Sequence, residues 1–189
     1  MFKKIVLSLV LVLGLTSLAF AGVKEGNDLS NAGKYIEAEA EYRASLPTLK
    51  GGDASGAQLQ IGYCLACQGK FAEAIVEYQK VITMAGVHPH HLSNAYLHIG
   101  SSFKRLGKKE EAQNAFKETL KVKNGYLAHL KVALGELDKV SLGKEVYLQL
   151  LNEVLLNIPA PTKEELETPA GKAKLDLITF IKSEQVKLK

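Results

Sequence analysis

Gly33-Lys34-Tyr35-Ile36-Glu37-Ala38 is the stretch that decides the fold, because it recurs twice further along the chain. The second copy is Gly69-Lys70-Phe71-Ala72-Glu73-Ala74, 36 residues later. The third is Gly107-Lys108-Lys109-Glu110-Glu111-Ala112, another 38 residues on. Three copies at so regular a spacing predict a repeat architecture, in which each unit needs its neighbours to bury its apolar face.

Each copy has three companions at fixed distances. Seven residues before the first glycine stands another glycine: Gly26, Gly62 or Gly100. Four residues after the alanine stands an aromatic residue: Tyr42, Tyr78 or Phe116. A large apolar residue follows the upstream glycine by three positions: Leu29, Leu65 or Phe103.

These spacings predict a helical hairpin in every copy. The upstream glycine and the alanine are small because the two helices cross closely there, and the aromatic ring fills the groove beside the crossing. The middle glycine is expected to end the first helix, where a residue that accepts positive φ is favoured.

The pattern resembles the tetratricopeptide repeat family, whose unit of roughly 34 residues is a helix, a turn and a second helix. The resemblance covers Gly22 to about Gly125. Tyr96 stands at the family's early aromatic position in the third unit, whereas Gln58 replaces that aromatic in the second. The resemblance implies an all-α fold of antiparallel hairpins, stacked as a short right-handed α-solenoid, and a non-enzymatic scaffold for a protein or peptide partner.

A degenerate fourth helix pair is expected over residues 126–160, because Gly143-Lys144 falls 36 residues after Gly107-Lys108. In this register Glu136 replaces the upstream glycine, Leu148 the alanine and Asn152 the aromatic. Residues 161–189 are expected to form a C-terminal capping helix that begins at Thr168-Pro169. We expect one face of it to pack on the fourth pair, the alternative for that face being a homodimer contact: Ala173, Leu177, Phe180 and Ile181.

Residues 1–21 have the form of a secretory signal peptide: Lys3 and Lys4, an apolar run to Phe20, and an Ala-x-Ala ending before Gly22. An uncleaved membrane anchor is the alternative, since the run is roughly long enough to span a bilayer. Cleavage would leave 22 basic and 20 acidic residues, a nearly balanced charge that gives no support for nucleic acid binding. We therefore expect an exported protein, in a bacterial periplasm or secreted.

In the tetratricopeptide family the first helix of each pair lines the binding groove. Carried over by position, the resemblance implies these partner-binding residues: Asn27, Ser30, Asn31, Leu59, Tyr63, Cys67, Leu97, Ser101, Lys104 and Arg105. A tyrosine near a Lys-Arg pair can stack on an extended peptide and bind a carboxylate.

Cys64 and Cys67 are the other candidates for chemistry, and three interpretations stay open: small packing residues, a local disulfide, or a redox or metal-binding module. The stretch His88-Pro89-His90-His91 is interpreted as a linker rather than a metal site. No catalytic triad, paired-carboxylate motif or phosphate loop is found, so the sequence predicts neither an enzyme nor a cofactor.

Overall fold

The computed structural model describes residues 21–188, so the predicted signal peptide lies almost wholly outside the described residues. That part of the chain is all-α. It contains α1 (21–31), α2 (Tyr35–Ser45), α3 (Gly51–Cys67), α4 (Phe71–Thr83), α5 (Pro89–Arg105), α6 (Lys109–Lys121), α7 (Leu127–Glu136), α8 (Lys139–Leu142), α9 (Lys144–Leu156) and α10 (Pro169–Lys187), with short 3-10 turns at Leu46–Thr48 and Glu165–Glu167. None of the described helices is both long and apolar enough to cross a membrane.

The chain divides into two compact units, and the boundary between His91 and Leu92 lies inside α5. The first unit holds the hairpins α1/α2 and α3/α4. The second holds most of α5 and everything from α6 to α10. The fold is that of a helical-repeat α-solenoid, in which hairpins follow one another along the chain.

An aromatic ring of the second helix lies on the upstream glycine of the first in all three hairpins. A methyl group placed on Gly62 would come within 2.6 Å of the Tyr78 ring, and one on Gly100 within 2.5 Å of Phe116. A methyl group placed on Gly26 would come within 2.8 Å of the Tyr42 ring. The predicted close crossing is therefore confirmed, with the ring on the glycine itself rather than beside it.

The turn between the two helices of each hairpin is the same in all three copies. In the second, the Gly69 N–H donates to the Ala66 carbonyl (3.0 Å) and the Lys70 N–H donates to the Leu65 carbonyl (2.9 Å). This pair of bonds is the Schellman motif, and it requires a left-handed residue at the glycine. Gly69 has φ +80°. Gly33 and Gly107 have φ +75° and make the equivalent bonds.

The second unit departs from the repeat after α6. The extra turn α8 precedes α9, which begins at Lys144, one residue after Gly143, whereas α6 begins two residues after Gly107. The buried face of α9 is therefore shifted by one position. Tyr147 and Leu151 are fully buried where the sequence register predicted Leu148 and Asn152, and Asn152 is exposed.

Helix α10 caps the second unit by packing on α7 and α9. Leu177, Ile178 and Ile181 join the core, and Phe180 packs against it. Ala173 is exposed, so its predicted place on this face is wrong. The expected packing of this face on the fourth pair is thus confirmed, and the homodimer stays a prediction.

Successive first helices are joined by a repeated serine–histidine hydrogen bond that the sequence did not reveal. Ser55 Oγ on α3 lies 2.8 Å from His91 Nδ1 on α5, within the first unit. Ser93 Oγ on α5 lies 2.9 Å from His129 Nδ1 on α7, within the second. His91 belongs to the first turn of a helix that begins at Pro89, so the expected linker is in part helical.

Candidate functional site

The accessible face of α3 is a stripe of five residues spaced alternately three and four apart: Asp53, Gly56, Gln60, Tyr63 and Cys67. This spacing places them on one side of a helix. Each is exposed or partly exposed, whereas Ala54, Leu65 and most of their neighbours in between are buried. We call this set the α3 stripe.

The first half of the α3 stripe lines a cavity of about 250 Å³ between α1 and α3, in the first unit. Its walls are these residues: Val23, Asn27, Tyr42, Leu49, Gly52, Asp53, Gly56, Ala57, Gln60 and His91. The cavity thus combines a short apolar wall with several polar side chains. Small-molecule sites in proteins usually enclose about 300–1,000 Å³, so this volume suits a single side chain better than a cofactor.

The hydrogen bonds around His91 determine which of its ring nitrogens is an acceptor. The Ser55 hydroxyl donates its one hydrogen to the Gly52 carbonyl (2.9 Å), so the bond between Ser55 Oγ and His91 Nδ1 must use a hydrogen on Nδ1. Burial, with smaller effects of His90 and His88, lowers the pKa of His91 below its ordinary 6.5. At neutral pH the ring is uncharged and its Nε2 atom is an acceptor in the cavity wall.

Tyr63 and Cys67 continue the α3 stripe beyond the cavity. The Tyr63 ring, 37% exposed, meets Tyr35 edge-on with the ring centroids 6.2 Å apart. A hydrogen bond with Cys67 is the main cause that raises the pKa of Tyr63 to about 12. These residues form an accessible aromatic patch with an exposed thiol beside it.

Among the other predicted partner-binding residues of the first unit, Asn27 and Asn31 are exposed on α1. Asn27 Oδ1 accepts a hydrogen bond from the Tyr42 hydroxyl (2.7 Å), which holds it at the cavity wall. Ser30 is partly buried and contacts the Cys64 thiol. The structure thus brings Asn27 and the first three residues of the α3 stripe to one cavity.

The prediction that Leu59 and Leu97 face a partner is wrong, because both side chains are buried, with 5% and 8% of their surface exposed. Each of them lies one helical turn before an exposed residue, Leu59 before Tyr63 and Leu97 before Ser101. Leu97 is part of the core of the second unit. On α3 the accessible residue is the next one along, Gln60. An apolar side chain at the edge of the accessible face of a helix packs into the core instead of facing solvent.

Ser101, Lys104 and Arg105 are exposed on the last part of α5, in the second unit. Lys104 Nζ forms an ion pair with Glu136 at 2.5 Å, and the Lys104 side chain remains 62% exposed. The ion pair neutralises part of the positive charge that the sequence suggested for binding a carboxylate.

The two cysteines have different surroundings and are free thiols in the structure. Cys64 is fully buried, and burial is the main cause that raises the pKa of its thiol to about 11. A reactive cysteine needs a lowered pKa, so Cys64 fits the packing interpretation and not a redox centre. Within residues 21–188, no group of three His, Cys, Asp or Glu side chains is arranged to hold a metal ion.

A second cavity, of about 230 Å³, lies in the other unit. Leu120, Leu127 and Leu130 contribute apolar walls, and Lys174 also lines the cavity. Lys174 forms a 3.3 Å ion pair with Glu165. This cavity is more apolar than the first, and its charged group already has a partner.

Asp53, Gly56, Gln60 and His91 are among the cavity residues that the sequence did not predict as site residues. A signal was present in the first three, which precede Tyr63 at spacings of ten, seven and three residues and so share its face. His91 carried no such signal, because its position depends on the path of the chain between α4 and α5.

Comparison with known families agrees with this geometry. A model of the tetratricopeptide repeat matches residues 53–124, a range that runs from the first turn of α3 to just beyond α6. Residues 53–124 are tetratricopeptide repeats. No relative is found among curated proteins. Tetratricopeptide repeats generally mediate protein–protein interaction.

Proposed function

We propose that this protein is an exported scaffold of the bacterial cell envelope, which binds a protein or peptide partner on the accessible face of its first helix α3. The observation that carries the proposal is the α3 stripe. It combines an exposed aromatic residue, Tyr63, with a cavity sized for one side chain, within tetratricopeptide repeats.

The combination of an exposed aromatic side chain with polar side chains next to it supports a peptide or protein partner. Exposed aromatic residues are enriched among the residues that dominate binding energy at interfaces. Polar cavity residues such as Gln60 and Asn27 provide hydrogen-bonding groups that can fix the register of an extended segment. Along α3, the patch around Tyr63 thus provides binding energy, and the cavity next to it provides specificity.

Affinity capture from an envelope extract tests the binding half of the proposal. The wild-type protein is expected to retain a specific partner, and Tyr63→Ala combined with Cys67→Ala, two exposed residues of α3, is expected to weaken capture by about fivefold or more. The matched control is Val76→Ala combined with Val146→Ala, which changes exposed residues of the second helices α4 and α9. Equal capture by both double variants would defeat the proposed binding face.

Export is tested separately, by the intact mass of the protein recovered from the envelope fraction. Cleavage before Gly22 is expected, because Ala19-Phe20-Ala21 has the small residues that a signal peptidase requires. A mass that corresponds to the uncut chain would instead favour a membrane anchor.

A further inference from the structure

We propose that the cavity between α1 and α3 takes a lysine side chain of the partner. This inference rests on the proposed function and adds the chemistry of one anchor to it. It differs from the carboxylate recognition that Lys104 and Arg105 suggested, because the cavity presents acceptors and a negative charge.

Charge is the first argument. Among the described residues that line the cavity, Asp53 is the one acidic residue, and none is a lysine or an arginine. Asp53 is exposed and its side chain takes part in no hydrogen bond or ion pair within residues 21–188, whereas Asp28 pairs with Lys24 at 2.8 Å. A cation entering the cavity would meet a carboxylate without an ion-pair partner.

Hydrogen-bonding capacity is the second argument. A lysine ammonium has three hydrogen atoms to donate and no acceptor. The cavity wall carries several acceptor groups for these hydrogens, among them the Asp53 carboxylate, the Gln60 amide oxygen and the His91 Nε2 atom. The Ser55 hydroxyl fixes the His91 ring so that Nε2, rather than Nδ1, is the accepting nitrogen.

Shape is the third argument. Val23, Leu49 and Ala57 form the apolar part of the wall. Lysine buries its four-carbon stem along apolar surface while its ammonium stays with polar groups. A cavity of about 250 Å³ with apolar and polar walls matches such a side chain. A purely apolar residue would leave the polar wall without partners, which costs binding free energy.

The probe is the blocked peptide acetyl-Gly-Lys-Gly-amide, titrated into the ¹⁵N-labelled protein and followed by amide chemical shifts. The shifts are expected to concentrate at Gly52, Gly56 and Ala57. The control peptide carries norleucine in place of lysine, which keeps the stem and removes the charge. It is expected to bind at least about fivefold more weakly, as for the loss of a hydrogen bond to a charged group.

Variants then separate charge from general helix effects. Asp53→Asn is expected to weaken binding of the lysine peptide by about fivefold or more. Its matched control is Glu73→Gln, because Glu73 is also an acidic residue in the first turn of a helix, at the third position of α4. Glu73→Gln should leave binding unchanged. Gly52→Leu fills open space at the cavity wall and should abolish the shifts while helicity is retained.

The inference is overturned if the lysine and norleucine peptides bind equally. Equal effects of Asp53→Asn and Glu73→Gln, or the absence of any shift, would overturn it as well. These failures are distinguishable from failure of the proposed function. If capture of the partner still depends on Tyr63, the scaffold proposal stands and only the lysine anchor is lost.

Discussion

The ring of the buried Tyr78 rests on Gly62, so closely that a methyl group at position 62 would come within 2.6 Å of the ring. Tyr78 is fully buried and cannot swing away into solvent. The same contact recurs at Gly26 with Tyr42 and at Gly100 with Phe116. This pair therefore sets the distance between the two helices of each hairpin.

Gly62→Ala should destabilise the protein despite the better helix propensity of alanine. Overpacking of a well-filled core costs about 1–3 kcal/mol, since either the ring or the helix must move. The measurement is the free energy of unfolding in urea, followed by circular dichroism.

The control for this prediction is Gly52→Ala on the same helix. A methyl group at Gly52 would meet nothing within 4 Å, so the substitution should be neutral or stabilise by up to about 1 kcal/mol through helix propensity. If Gly62→Ala is as harmless as Gly52→Ala, the close crossing does not limit the size of residue 62.

Glu77 should make the first unit sensitive to acid. The residue is 7% exposed and accepts hydrogen bonds from Gln58 (2.6 Å), Lys80 (2.7 Å) and Arg43 (2.9 Å). Burial by itself would raise the pKa of Glu77, but these partners outweigh it and hold the pKa below the ordinary 4.5. The ionised carboxylate therefore stabilises the fold above pH 4.5, and this contribution is lost as the pH falls through the lowered pKa.

Glu77→Gln is expected to reduce the free energy of unfolding at pH 7 by about 1–3 kcal/mol, because the hydrogen bonds lose their charge. The difference in unfolding free energy between variant and wild type should shrink progressively as the pH falls below 4.5, measured by urea unfolding at each pH. Glu118→Gln is the matched control. It removes an exposed ion pair with Lys121 and should cost under about 1 kcal/mol. A gap for Glu77→Gln that is constant down to pH 3 would count against the lowered pKa.

The two cysteines should differ in reactivity towards a thiol reagent such as N-ethylmaleimide. Cys67 is exposed, whereas Cys64 is buried with the pKa of its thiol raised to about 11. Mass spectrometry of the native protein should show one adduct, at Cys67, and a second only after unfolding. A disulfide between the two residues, seen as two missing adducts that reduction restores, would refute this assignment.

The hairpins could be predicted because their determinants are local in sequence. The left-handed turn at position 69 requires a glycine, and the Tyr78 ring packs directly on Gly62. The spacing of these three residues in the sequence therefore predicts the geometry of the hairpin. In the fourth pair, Gly143 suggested the same register, but the helix α9 begins one residue earlier and α8 is inserted before it. A shift of one residue turns the buried face of a helix by about 100°, and the sequence motif alone does not reveal it.

The candidate site was predictable only in part. Tyr63 lies on an accessible face, as the family resemblance implied. Leu59 is buried, because it lies at the edge of that face and packs into the core. The cavity needed α1, α3 and the first turn of α5 to come together. His91 contributes to it from a separate repeat, and no pattern along one helix could identify that contact.

Photo-crosslinking tests the central claim, that the partner binds the accessible face of α3, most directly. Benzoyl-phenylalanine is introduced in place of Tyr63 on α3 or in place of Val76, which is 50% exposed on α4, and each protein is irradiated in envelope extract. The account predicts a crosslinked partner from position 63 and none from position 76. Crosslinks from position 76 alone would contradict it.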